Sequence, residues 1–192
     1  ISFWLIIFSC PLFFFVNEPK KNKTTKNIGI YLKQGIDLIF NSKVILRYFI
    51  ARIFYFDALA TLFAFGGIYA AKVFKFNQIE ILYFAILINI SAAIGASIGG
   101  YFDDKFSAFK IIRISLLGLI CFGIMLILVE NKEIFWFVSF CLGLFIGPLQ
   151  SSSRSLITKI TPEKRGAQFF GFAIFSGKIT SFLGPFIYGS LV

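Results

Sequence analysis

The feature that most constrains this chain is a series of long apolar segments separated by short polar loops. Four segments cover roughly residues 44–71, 77–100, 109–129 and 132–159, and a fifth begins near residue 163. Each is long enough to cross a bilayer, which takes about 20 helical residues. With 58% hydrophobic residues, the chain has too few polar residues to coat a soluble globule of this size. The pattern predicts an all-α fold, a polytopic membrane helix bundle embedded in a lipid bilayer.

The apolar segments divide the chain into three expected parts. Residues 1–16 lack the basic start and small-residue cleavage site of a signal peptide, so we interpret them as the end of a truncated transmembrane helix. Residues 17–43 form a lysine-rich cytoplasmic linker, which we expect to hold an amphipathic helix on an anionic membrane surface; a partner-binding helix is the alternative. Residues 44–192 form a bundle of about five spans whose last helix is missing, so we interpret the chain as a fragment. The stripe that predicts the linker helix is Ile28, Leu32, Gly35, Ile36 and Ile39.

Local signals predict where helices begin and where they break. Asn41 or Ser42 is placed to cap the first full span, and Asn77 with Glu80 has the spacing of a capping box at the second.

The segment Thr161-Pro162-Glu163 has the order of an N-cap, a first-position proline and a first-turn acid, which predicts the start of the fifth span. The pairs Gly66-Gly67 and Gly147-Pro148 predict loosened helices near the middle of the membrane, where transporters often bind their substrates. Kinks that serve packing alone are an equally good interpretation.

The distribution of Lys and Arg predicts the orientation of the bundle, because cytoplasmic loops are enriched in these residues. The linker and the loops around residues 103–113 and 154–165 are rich in bases, and they alternate with poorer loops at residues 72–80 and 130–133. We therefore expect a multi-pass protein of a bacterial inner (cell) membrane, with the linker and the 103–113 loop on the cytoplasmic side.

A tight polar hairpin at residues 91–113 joins the second and third full spans. Small residues precede it at helical spacing, with Ser91, Gly95 and Gly99 on one stripe. This spacing lets the backbone of another helix approach closely. The order that follows, Gly100, three residues, Asp104 and Lys105, is more specific than a generic turn.

This order, with Lys110 and Arg113 after it, resembles the loop signature of the major facilitator superfamily of secondary transporters, although Ser107 stands where that signature has glycine. Further stretches at residues 51–57, 63–70, 147–154 and 176–185 add to the resemblance. Together they are similar to the carboxy-terminal half of the branch that includes the autophagy-linked vacuolar amino-acid effluxers and their bacterial relatives.

The resemblance implies a secondary active transporter that moves a small solute by alternating access, and the named relatives suggest amino-acid efflux. It also implies a partner, the missing N-terminal half of the same transporter. The expected residues of its cytoplasmic gate are Gly100, Asp104, Lys105 and Lys110. Within this motif the resemblance implies that Asp104 accepts hydrogen bonds at a neighbouring helix end and that Lys105 stabilises the gate.

Polar and ionisable groups inside a membrane are costly, so each requires a reason. The residues we expect on a substrate or ion pathway are Arg52, Asp57, Asn89, Gln150, Arg154 and Lys178. Structural alternatives stay open for part of this set. Asn89 has the chemistry to hydrogen-bond a neighbouring helix, and Arg52 and Arg154 lie near enough to the cytoplasmic side to extend their charges towards it.

Asp57 and Lys178 are expected to face one central cavity at the same depth. Asp57 lies ten residues beyond Arg47 and Lys178 ten beyond Gln168, which places both about 15 Å into the membrane from the same side. Opposite charges there would neutralise each other until the substrate or a coupling proton competes for one of them.

Several other functions lack support in the sequence. The net charge of +10 is spread over loops between spans, so we expect no nucleic-acid partner. The chain has no histidine, and Cys10, Cys121 and Cys141 lie in apolar segments, so we expect no metal site, disulfide or other cofactor. Neither a phosphate-binding glycine loop nor a nucleophile–base pair is present, so we expect no enzyme. The alternative to a transporter is a sensor or scaffold built on the same bundle.

Overall fold

The computed structural model describes residues 7, 9, 10, 14, 28–162 and 165–191. The helices of this part are α1 (Ile28–Asn41), α2 (Lys43–Phe74), α3 (Gln78–Lys105), α4 (Ala108–Leu128), α5 (Lys132–Ile160), α6 (Gly166–Thr180) and α7 (Leu183–Leu191). Helices α2, α3, α4 and α5 are long and apolar enough to cross a membrane, and Gly166–Ile187, which combines α6 with part of α7, is a fifth candidate span. The expected all-α, polytopic bundle is confirmed.

The chain divides into two compact units, Ile1–Leu32 and Lys33–Val192. In the first, residues 7, 9, 10, 14 and 28–32 are described and are helical. The span end expected at residues 1–16 therefore lies mostly outside the described residues. The second unit contains the bundle.

Helix α1 lies in the segment where the sequence predicts a linker helix. Within the second unit, Gly35 of α1 packs so closely against the side chain of Gln168 at the start of α6 that a Cβ atom would overlap it. Next to this contact, Arg165 Nη2 donates a hydrogen bond to Gln34 Oε1 over 2.9 Å. Ile36 is exposed. These contacts join the part of α1 that belongs to the second unit to α6, while the placement of the helix on a membrane surface stays a prediction.

The predicted caps are present at two helix starts. Ser42 Oγ accepts a hydrogen bond from the backbone N–H of Ile45 at 3.5 Å, at the start of α2. At the start of α3, Asn77 Oδ1 accepts from the Glu80 N–H at 2.8 Å, and Glu80 Oε2 accepts from the Asn77 N–H at 2.9 Å. This reciprocal pair is a capping box, which satisfies two backbone donors that the helix itself leaves unpaired.

The predicted start of the fifth span is wrong. Thr161 is the residue that ends α5, where its N–H donates to the carbonyl of Ile157, and α6 begins only at Gly166. Pro162 has no N–H and disfavours helical backbone in the residue before it, so it stops α5 instead of opening α6. Glu163 lies outside the described residues.

Neither pair ends its helix: α2 continues through Gly66-Gly67 and α5 continues through Gly147-Pro148. In α5 the proline has a packing role. Pro148 cannot donate to the carbonyl of Leu144 four residues earlier, which leaves that carbonyl oxygen without its usual partner in the helix. The oxygen lies directly against Gly95 of α3.

Small residues hold α3 and α5 in close contact along a surface that we call the seam. A Cβ atom added to any of its four glycines would overlap the facing helix: Gly95 meets Leu144, Gly99 meets Pro148, Gly143 meets Ser91 and Gly147 meets Ala92. Ser91 is fully buried, and Gly95 and Gly99 are also buried. The predicted packing stripe is therefore confirmed, and carbonyl oxygens set against glycine Cα atoms are typical of such close helix pairs.

Helix α5 is the centre of the bundle. Leu142, Ile146 and Leu149 on α5 are at most 1% exposed, whereas α4 has large apolar side chains facing outward, as a lipid-facing helix does. At the end of the bundle where α3 and α5 begin, Lys132 forms an ion pair with Glu80. Phe135 stacks on Phe84 beside it, with ring centroids 5.5 Å apart.

Candidate functional site

Two adjoining cavities gather five of the six expected pathway residues. The first, of about 390 Å³, is lined by Arg52, Gln150, Arg154 and Lys178 together with apolar side chains. The second, of about 230 Å³, is lined by Asn89 and again by Gln150 and Arg154. Because the two share these lining residues, we treat them as one site and call them the polar cavities.

Helical periodicity explains why these residues meet. On α2, Arg52, Phe56 and Phe63 follow one another at four and seven residues, so they lie on one face. On α5, Gln150 and Arg154 are four residues apart and form the facing wall. Lys178 completes the first cavity from α6, and Asn89 lines the second from α3.

Arg52 is the most buried charge of the site. Its side chain is 5% exposed. The guanidinium carbon lies 3.8 Å from the centroid of the Phe56 ring, a cation–π contact. Arg52 Nε donates to the carbonyl of Ala173 on α6 at 3.5 Å, and Arg52 Nη1 is buried without a hydrogen bond. Arg52 therefore lies within the bundle and does not extend to its surface, which decides against one of the alternatives left open by the sequence.

Two tyrosines tie α2 to α5 beside this arginine, and the sequence analysis missed both. Tyr48 donates from its hydroxyl to the carbonyl of Ser153 at 2.8 Å, and the Tyr55 hydroxyl shares a hydrogen bond with Ser153 Oγ at 2.8 Å. Tyr48, Arg52 and Tyr55 have the spacing of one helical face, four and three residues apart. That spacing was the available signal for a polar face on α2.

The remaining polar residues of the cavities bond mainly to their own helices. Asn89 Nδ2 donates to the carbonyl of Ala85 at 2.8 Å, and Ser151 Oγ donates to that of Pro148 at 3.3 Å. Asn89 thus makes no use of a neighbouring helix in these bonds. Asn89, Arg154 and Lys178 are exposed, so their polar groups face open space beside α5.

The predicted pairing of Asp57 with Lys178 is wrong. Asp57 Oδ1 accepts a hydrogen bond from the backbone N–H of Gly184 at 3.2 Å. It lines a different, apolar cavity of about 540 Å³, whereas Lys178 lines the first polar cavity. Five residues separate Asp57 from Arg52, which turns it about 140° around α2. Equal depth in the membrane did not imply a shared face.

The contact of Asp57 with Gly184 has its own structural meaning. Gly184 lies in the first turn of α7, after a turn at Ser181 and Phe182 that breaks the fifth span. Backbone N–H groups in a first turn have no partner within the helix, and the negative charge of a carboxylate there also interacts favourably with the helix dipole. A Cβ atom on Gly184 would overlap Thr61, so glycine lets α7 reach Asp57.

The hairpin between α3 and α4 departs from the expected gate by one residue. Asp103 is buried, at 7% exposure, and its Oδ1 lies 3.3 Å from Lys159 Nζ in the last turn of α5. Asp104, which was expected to make such a contact, is exposed, as are Lys105 and Lys110. One residue turns a side chain by about 100° around a helix, so the acid that faces α5 is Asp103.

The charges of the first cavity are unbalanced. Its described lining residues include three cations, Arg52, Arg154 and Lys178, and no Asp or Glu. Most of the remaining wall is apolar. Such a site has the chemistry to bind a solute, and among the described residues no group of three His, Cys, Asp or Glu side chains is placed to hold a metal ion.

The role of Asp57 predicts a stability effect. Asp57→Leu removes the acceptor for the Gly184 N–H and is expected to destabilise the full-length protein by about 1–3 kcal/mol. Asp57→Asn keeps an acceptor oxygen and loses only the charge, so about 0.3–1 kcal/mol is expected. Thermal unfolding in detergent measures both. Lys178→Met serves as the control and should not rescue Asp57→Leu; a rescue would indicate that Asp57 and Lys178 form an ion pair in the unmodified protein and would contradict the assignment.

Comparison of the sequence with known proteins assigns the chain to a family. The family model described as "Vacuole effluxer Atg22 like" matches residues 1–192. The curated "Uncharacterized MFS-type transporter YxiO" of Bacillus subtilis (strain 168) is 22% identical over 188 residues, which are 96% of this chain and 44% of that protein. The chain thus spans less than half the length of this relative. No solved structure matches it. The resemblance inferred from the hairpin is confirmed, and the chain belongs to the Atg22-like vacuole effluxer family of major facilitator transporters.

Proposed function

We propose that this chain is the carboxy-terminal half of a secondary active transporter that moves a small solute by alternating access, with the polar cavities forming its side of the solute pathway. The observation that carries the proposal is the convergence of Arg52, Gln150, Arg154 and Lys178 from three helices on one cavity. Polar groups are costly inside a membrane, and a water-filled or solute-filled pathway gives them a favourable environment.

The chain provides only one wall of that pathway. Arg154, Lys178 and Asn89 are exposed, as residues facing a second domain across a central site would be in the absence of that domain. We propose that the N-terminal half of the same transporter supplies the opposite wall, and that residues 17–43 are the linker between the halves. Rocking of the two halves would then expose the site to each side in turn. No step of this cycle requires enzymatic chemistry.

We propose that the hairpin between α3 and α4 takes part in the gate. The Asp103–Lys159 contact joins the end of α3 to the end of α5, so a movement of one helix end relative to the other would break it. Lys159 is half exposed, so the pair adds little to stability. Its proposed role is to favour one of two conformations, together with Asp104, Lys105 and Lys110.

Transport by the full-length protein tests the function. In proteoliposomes with an amino-acid panel at two pH values, we expect saturable transport that Gln150→Leu and Arg154→Gln lower at least about tenfold, since both remove groups that would contact the solute. Ser97→Ala is the matched control on α3, because Ser97 bonds to Ala93 of its own helix and lines neither polar cavity.

The outcomes separate the two candidate functions. Absence of transport for the whole panel, with the protein folded and inserted, would favour a sensor or scaffold. A dependence of the rate on the pH gradient would identify a proton as the coupling ion.

In the same assay, Asp103→Asn should lower the transport rate more than Asp104→Asn does, because Asp103 makes the contact with Lys159. Equal transport rates for both variants and the unmodified protein would show that the hairpin is not part of the gate.

We propose that the linker and the 103–113 loop lie on the cytoplasmic face of a bacterial inner membrane. The Lys and Arg residues near this end of the bundle support the orientation. In a background without the native cysteines, Ser107→Cys and Asn131→Cys place single thiols at opposite ends of α4. An impermeant thiol reagent should label Asn131→Cys from outside and Ser107→Cys only after the cell is opened. Labelling of both from outside would contradict the proposed sidedness.

A further inference from the structure

The first polar cavity combines an unbalanced positive charge with an arginine that lacks a full set of partners. Arg52, Arg154 and Lys178 approach it from three helices, α2, α5 and α6, and its described lining residues include no carboxylate. Asp57 lies on the same helix as Arg52, but it lines the apolar cavity and is bonded to Gly184. No acid described at this cavity therefore compensates the three cations.

Arg52 shows which of the three cations is prepared for a ligand. The side chain is 5% exposed, yet its Nη1 makes no hydrogen bond and its Nε has only the 3.5 Å contact with the Ala173 carbonyl. The Phe56 ring and the Tyr48 hydroxyl lie beside the guanidinium, but neither carries a negative charge, and a buried donor without an acceptor is unfavourable. A bound anion would supply both a negative charge and hydrogen-bond acceptors.

The orientation of the guanidinium also fits this role. Phe56 covers one face of the group, with the guanidinium carbon 3.8 Å from the ring centroid. A guanidinium donates hydrogen bonds from its edge and not from its face, so the stacked ring occupies none of these donors, and Nη1 on the edge has no hydrogen-bond partner. The edge is the part that binds a carboxylate, with two parallel N–H···O bonds.

From these observations we propose that Arg52 binds the carboxylate of an organic monocarboxylate whose apolar body lies against the aromatic wall of the first polar cavity. The proposal rests on the proposed transport function and specifies its class of substrate. Phe56, Phe63 and Phe170 line the same cavity, and its volume of about 390 Å³ accommodates a ligand with an aromatic or branched body.

The charge balance favours a monocarboxylate over a zwitterion. The ammonium group of an amino acid would enter a cavity with three cations and no acid among the described lining residues. Like charges repel more strongly in such a partly desolvated site than in water. An anion without an ammonium group avoids this repulsion, and Arg154 and Lys178 increase its attraction to the cavity.

Binding to the purified full-length protein tests the proposal with three ligands that share one skeleton. They are 3-phenylpropanoate, phenylalanine and phenylalanine amide, which carry net charges close to −1, 0 and +1 at about pH 6, below the pKa of the amide's α-amine and above those of the carboxylates. Isothermal titration calorimetry should give the tightest binding for 3-phenylpropanoate, weaker binding for phenylalanine and none for the amide. Arg52→Gln should weaken the binding of 3-phenylpropanoate at least about tenfold. Arg52→Lys should weaken it less, because a single ammonium keeps the charge and loses the paired bonds.

A matched control separates the role of Arg52 from a general loss of positive charge. Arg113→Gln removes a cation that lines neither polar cavity and should leave the binding of all three ligands unchanged. If Arg52→Gln fails to fold, the order of the three ligands on the unmodified protein still decides. Equal binding of phenylalanine and 3-phenylpropanoate, or binding of 3-phenylpropanoate that survives in folded Arg52→Gln, would overturn the proposal. Charge-dependent binding of the three ligands without transport of any ligand in the panel would contradict the transport function and leave the anion site in place. Transport whose rate does not depend on ligand charge would support the transport function and overturn the anion site.

Discussion

The close contact of α3 with α5 is the interaction on which the rest of this structure depends. In a membrane, apolar side chains gain little by leaving lipid for protein, so helices associate through close packing and hydrogen bonds. The four glycines of the seam and Pro148 remove the side-chain volume that would separate the two backbones. Pro148 contributes twice, since its ring packs on Gly99 and its missing N–H leaves the Leu144 carbonyl oxygen beside Gly95.

This packing also positions the polar cavities. With the glycine face of α5 fixed against α3, Ser153 is placed to bond Tyr48 and Tyr55 of α2, and Gln150 and Arg154 turn towards the open side of the bundle. These polar groups are thereby collected at one place in the membrane, where the proposed solute pathway would give them partners. The seam and the proposed pathway thus use two different faces of the same helix.

The sequence predicted features whose causes are local and missed those that depend on tertiary contacts. The capping box at Asn77 and the small-residue stripe follow from spacings within one helix, and both are present. The partner of Asp57 is the backbone of Gly184, 127 residues away, and no side-chain pattern marks it. Opposite charge and equal depth suggested Lys178 instead, although the rotation of five residues around a helix already argued against it. The choice between Asp103 and Asp104 failed similarly, because the family signature gives an order of residues and not the direction each one faces.

Thermal unfolding of the full-length protein with Gly95→Ala, compared with Gly100→Ala on the same helix, tests the central claim most directly. Gly95 faces the Leu144 backbone with no room for a methyl group, while nothing lies within 4 Å of a Cβ atom at Gly100. We expect Gly95→Ala to destabilise the protein by about 1–3 kcal/mol through overpacking. Gly100→Ala should be neutral or stabilise it by up to about 1 kcal/mol, because alanine favours a helix. Equal stability of the two variants would show that the seam does not hold the bundle together.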